Sequence, residues 1–88
     1  MKRIAFVVTG RVQGVGFRKF TLRAAEACGV AGHVRNAVDG SVVGEAEGHD
    51  AAIEEFLAAI RRGPTFSRVE SVEVQDLPLA GEAGFVIR

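Results

Sequence analysis

Hydrophobic positions alternate at the start of the chain. Ile4, Phe6 and Val8 are separated by single residues, so a strand over about 3–9 turns all three to one face. The period then lengthens. Phe17, Phe20, Ala24 and Ala27 recur at helical spacing, which predicts a helix over about 17–28 with these residues toward the core and Gly29 closing it. Residues 32–36 and 41–46 then read as two strands on either side of Asp39-Gly40, a pair that favours a hairpin turn. Ile53, Phe56, Leu57 and Ile60 fall at i, i+3, i+4 and i+7 and mark an amphipathic helix over about 50–62. Asp50 suits the positive end of that helix, Arg61 and Arg62 the negative end, and Gly63-Pro64 stops it. An alternating strand over 69–74 follows, and a short one over 84–88 ends the pattern.

The order β-α-β-β-α-β, with one extra short C-terminal strand, predicts an α+β domain of the ferredoxin-like, split β-α-β kind. In it two helices cover one face of an antiparallel sheet. The hairpin between the helices supplies a strand that slots between the first two parallel strands. That arrangement brings Asn36, at the end of the second strand, toward the loop after the first. With 88 residues, 1–88 is expected to form a single domain.

Composition narrows the function. Eleven basic and eleven acidic side chains leave no net charge, which argues against nucleic acid as a partner. The charges are unevenly placed: through residue 35 the only acidic side chain is Glu26, against Arg11, Arg18, Lys19, Arg23 and Arg35 among the bases. A locally positive mouth for a small anion fits this asymmetry. No apolar run approaches the roughly 18 residues of a membrane span, and the N-terminus lacks a secretory pattern, so no membrane partner and a cytoplasmic address are expected. Cys28 is the only cysteine, which suits a small buried hydrophobe, and His33 and His49 are not spaced as a ligand pair; no metal site is predicted.

The candidate chemistry lies in Gly10–Arg18, G-R-V-Q-G-V-G-F-R, between the first strand and the first helix. Gly10, Gly14 and Gly16 allow a tight turn and clear the approach to backbone N–H groups. A helix starting at Phe17 adds unpaired N–H groups and the positive end of its dipole. Arg18 adds a planar fork of donors matched to two phosphate oxygens. The spacing is neither that of a P-loop nor of a dinucleotide fingerprint. An anion cradle and an ordinary tight turn both fit the pattern.

These residues resemble the acylphosphatase family. Residues 10–18 satisfy every fixed position of its first motif, G-x-V-Q-G-V-x-[FY]-R. Residues 32–48, G-H-V-R-N-A-V-D-G-S-V-V-G-E-A-E-G, satisfy its second motif everywhere except His33. The likeness continues through Gly63-Pro64, Val69, Val72 and Val74 to the F-V-I-R ending. The resemblance implies hydrolysis of the carboxyl-phosphate bond of a small acyl phosphate, without metal or organic cofactor, by a chain expected to be a monomer. It implies that Arg18 binds the phosphoryl group, helped by the backbone N–H groups of Val12, Gln13, Gly14, Val15, Gly16, Phe17 and Arg18, and that Asn36 orients the attacking water. Such chemistry needs positioning and charge stabilisation more than a nucleophile, in keeping with the lack of a Ser/His/Asp or Cys/His set.

Two positions depart from the family. His33 stands where a large aromatic is usual, on the opposite strand face from Asn36, so a packing or surface effect is expected there. Ala37 stands where many members carry a hydroxyl. The alternative to an enzyme is a phosphate- or acyl-phosphate-binding module of the same fold. An RNA-binding sheet of this topology is disfavoured, since there is no Trp or Tyr and most of the six Phe take core-like positions.

Overall fold

Alternation, helical stripes and breakers yield seven elements in the computed structural model, which describes residues 1–88. They are β1 (Lys2–Arg11), α1 (Phe17–Cys28), β2 (Ala31–Asn36), β3 (Val42–Gly48), α2 (Asp50–Arg62), β4 (Arg68–Leu77) and β5 (Phe85–Ile87). The five strands form one sheet in the order β4-β1-β3-β2-β5. As predicted, β3 lies between β1 and β2 and is antiparallel to both. The added strand β5 pairs parallel with β2, so the otherwise antiparallel sheet is mixed. The architecture is the ferredoxin-like α+β fold.

Ile4, Phe6 and Val8 of β1, Val34 of β2, Val42 and Ala46 of β3 and Phe85 of β5 are buried on the helix-bearing face. From α2 they receive Ile53, Phe56, Leu57 and Ile60, the stripe read from its spacing. The rings of Phe6 and Phe56 meet edge-on at 5.5 Å between centroids, and Phe85 lies 5.9 Å from Phe56.

Helix α1 is rotated from expectation. Its buried residues are Phe17, Thr21 and Ala25. Phe20 and Ala24 are only half-buried, and Ala27 is exposed. These three line an open groove of about 600 Å³ with Ala58 and Ala59 of α2. Thr21 tolerates complete burial because its hydroxyl donates to the Phe17 carbonyl at 2.8 Å, leaving only its methyl to the core. Cys28 sits on the same groove, partly buried, and burial pushes its thiol up.

Arg3 belongs to the opposite face of the sheet, yet it is buried. Its guanidinium donates to Glu45 at 2.7 and 2.9 Å, to Glu47 at 3.2 Å, and to Glu82. Glu47 also accepts the N–H groups of Ala80 at 2.7 Å and Gly81 at 3.1 Å. The segment from Leu77 to Phe85, which must pass from one sheet edge to the other, is thereby fastened across the open face and delivers β5 beside β2.

Candidate active site

The glycine-rich stretch divides in two. β1 continues through Gly10 and Arg11, which pair with Val69 and Arg68 of β4 after a register shift at Thr9/Gly10. The turn expected over the whole stretch is therefore confined to residues 12–16. Gly10 serves the sheet rather than the cradle: a Cβ there would lie 2.1 Å from the Arg68 carbonyl oxygen.

Gly16 is the N-cap of α1, at φ 78° and ψ 20°, and it offers no side chain to the first-turn N–H groups. No acidic residue stands in that turn either. Helical geometry leaves these donors without backbone acceptors, so they remain directed at whatever occupies the helix end. Arg18 lies on the first turn, exposed, and takes part in none of the ion pairs of the structure.

A cavity of about 460 Å³, within the range of small-molecule sites, brings the two motifs together. It is lined by Val12, Gly14, Gly16, Phe17, Arg18, Lys19, Asn36 and Ile87. Of the residues singled out from the sequence, Gln13 and Val15 lie outside this lining. Val15 packs against the core, and the Gln13 amide reaches away to the β2–β3 connection. Asn36, the last residue of β2, faces the cavity because it follows Val34 and Gly32 along the helix-side face of that strand. Its Oδ1 is buried and has no hydrogen-bond partner. Neither end of the amide is engaged by the protein, so the group is free to turn toward a ligand.

Two lining residues were not among the expected site residues, although Lys19 was counted among the bases of the positive mouth. Lys19 adds a second cation beside Arg18 rather than serving only as a distant steering charge. Ile87 contributes an apolar wall, placed there by the parallel register Val34↔Ile87. The hint for Ile87 was the alternation of the last strand, which sets Phe85 and Ile87 on one face. The lining holds cations, an amide and apolar groups, with no carboxylate, imidazole or thiol.

His33 lies on the opposite face from the cavity, as strand alternation requires. Burial, and then the charge of Arg88, hold its imidazole below the ordinary histidine range. Its ring nitrogen approaches Glu45 and Glu82, with ligand atoms within 4.8 Å of one another, but both carboxylates are already held by the Arg3 guanidinium. Ala37 presents no donor to Asn36; its own N–H donates to the Ser41 carbonyl at 2.8 Å.

Comparison with known proteins identifies the family and matches the fold. The family model described as acylphosphatase matches residues 4–87. An acylphosphatase of Moorella thermoacetica is 50% identical over 86 residues, spanning 98% of this chain and 92% of that protein. One of Salinibacter ruber is 51% identical over 89 residues, spanning 99% and 93%. The crystal structure of acylphosphatase from Bacillus subtilis superposes with a TM-score of 0.97 at 39% identity, covering 100% of this chain and 99% of that one.

Proposed function

The chain belongs to the acylphosphatase family and is an enzyme that hydrolyses acyl phosphates, and from that premise we propose that the cavity between α1 and Asn36 performs the reaction. The phosphoryl group rests on the backbone N–H groups of residues 12–18, with the Arg18 guanidinium donating to two of its oxygens. Asn36 holds a water in line with the scissile bond. The water oxygen bonds to phosphorus as the P–O bond to the acyl carbon's oxygen breaks, and the acyl group departs as a carboxylate. The water's proton passes to a phosphoryl oxygen, because the lining offers no side-chain base. Ile87 lies where it can shield the acyl portion from solvent.

The good leaving group sets the division of labour. A carboxylate departs without prior protonation, so catalysis reduces to alignment and to stabilising charge on the equatorial oxygens. Fixed N–H dipoles and a guanidinium do both without reorganising. A single chain supplies every group named, so we read the protein as active as a monomer on a small acyl phosphate, with no part for nucleic acid, and as a cytoplasmic enzyme.

The observation that carries this reading is the convergence of Arg18, Asn36 and the glycine loop on one cavity. Release of inorganic phosphate from benzoyl phosphate, with chelator present, tests it. Arg18→Ala and Asn36→Ala should each lower kcat/KM by about 10²–10³-fold while leaving the melting temperature nearly unchanged. Near wild-type turnover by either variant would overturn the assigned role.

A further inference from the structure

Gln13 lies in the cradle loop, but its side chain turns away from the cavity. Its Nε2 donates to the Ala37 carbonyl at 2.8 Å and to the Ser41 carbonyl at 3.0 Å, using both hydrogens of the amide. Those two carbonyls close the β2–β3 connection. Ala37 immediately follows Asn36, and Ser41 immediately precedes β3. Between them the connection is braced by its own bonds. The Ala37 N–H donates to the Ser41 carbonyl at 2.8 Å, and the Gly40 N–H donates to the Ala37 carbonyl at 3.2 Å. The Ser41 N–H and hydroxyl both donate to Asp39, at 3.0 and 2.6 Å. Gln13 therefore grips a rigid piece whose next residue is Asn36.

No other hydrogen bond joins residues 12–16 to residues 36–41. The phosphate donors sit on one side of this link and the water-holding amide on the other. We propose that Gln13 is a positioning residue that sets the separation between the cradle and Asn36, and with it the in-line approach of water to phosphorus. The inference rests on the roles assigned above to the cradle and Asn36. An amide is suited to the task, because two carbonyl oxygens require two N–H donors and a carboxylate would meet them with like charge. An alkyl group of similar length would fill the space and leave both carbonyls without that donor.

Displacing a water by about 1 Å from its productive line costs up to about 10²-fold in rate, whereas the phosphate donors themselves stay in place. Gln13→Met should lower kcat for benzoyl phosphate by about 10–100-fold. Inhibition by inorganic phosphate should change by less than about threefold, since Arg18 and the loop N–H groups still bind it. The decisive measurement is a double-mutant cycle. In an Asn36→Ala background, Gln13→Met should lower kcat by less than about threefold, because the partner it positions is gone.

Gln13→Asn, which keeps the amide one methylene shorter, takes the place of Gln13→Met if the latter fails to fold. The inference is overturned if kcat stays within about twofold of wild type, if the same loss persists without Asn36, or if phosphate affinity falls in step with kcat. Activity of Asn36→Ala alone separates the two levels. A fully active Asn36→Ala refutes the assigned mechanism; an impaired one beside an active Gln13→Met refutes only the role of Gln13.

Discussion

Gly10 and Gly16 belong to the same motif, yet a methyl group should do different damage at each. At Gly10, φ is 123°, and a Cβ would sit 2.1 Å from the Arg68 oxygen and 2.8 Å from the Glu70 nitrogen. Both obstacles are backbone, and an ordinary contact needs about 3.5 Å. Relief requires β4 to retreat by more than about 1 Å, which opens the ladder at Gly10–Val69 and Arg11–Arg68. Strain of about 1–3 kcal/mol and two ladder hydrogen bonds at about 1 kcal/mol each set the cost of Gly10→Ala near 3–5 kcal/mol. That is a large share of the roughly 4–13 kcal/mol expected of 88 residues. At Gly16, φ is 78° and no atom lies within 4 Å of a Cβ. Gly16→Ala should cost only the left-handed conformation, about 1–2 kcal/mol. Its methyl, however, enters the cavity mouth among the N–H donors. Thermal melts followed by circular dichroism, paired with kcat/KM measured below the transition, separate the effects. Gly10→Ala should lower the midpoint far more, by about 4–8 °C per kcal/mol. Gly16→Ala should suffer the greater loss of activity per folded molecule. A Gly10→Ala variant no less stable than Gly16→Ala would refute the close-approach account.

Acid should act through Glu47 and His33. The Ala80 N–H, followed by Arg3 and the Gly81 N–H, holds the Glu47 carboxyl below its usual value of 4.5. Its stabilisation is present above that unfolded value and lost as pH falls through the lower folded one. Glu47→Gln should therefore be less stable at pH 7 and show a shallower decline in melting temperature below pH 4.5; an unchanged acid slope would count against the pinning of the crossing segment. For His33, burial lowers the imidazole from 6.5 in the face of Glu45 and Glu82. Below pH 6.5 the unfolded chain takes up a proton that the folded one resists, so stability falls from there down to the folded value. His33→Phe should remove that decline, leaving melting temperatures alike at pH 8 and pH 5.5 as far as this site contributes. A decline as steep as wild type would refute this.

The α2 stripe was legible because Ile53, Phe56, Leu57 and Ile60 are apolar and helically spaced, and burial follows spacing. Both halves of the cavity were legible because Arg18 and Asn36 sit in long motifs whose topology brings them together. On α1 the same logic selected Phe20 and Ala27 over Thr21, since hydropathy counts a hydroxyl as polar and does not see the Phe17 carbonyl that satisfies it. Arg3 was equally hidden. Alternation assigns it to the open face, and its burial comes from a crossing segment with no periodicity of its own. The partners of Gln13 are backbone carbonyls, which leave no trace in the pattern of side chains.

The place of β1 in the sheet has a further consequence, for the order of folding. Only β2 and β3 are joined by a short connection. β1 lies between strands drawn from residues 42–48 and 68–77, so neither of its edges is filled until long loops have closed. Closure of that kind is entropically costly and slow. The cradle continues directly from β1, so its donors converge only when that late pairing is complete. If the cradle binds phosphate as proposed, an anion bound there should recognise the finished molecule and nothing that precedes it. It should slow departure from the native state while leaving the rate of arrival unchanged. On the proposed role of the cradle, a phosphate ion bound there should keep the sheet closed without hastening its assembly.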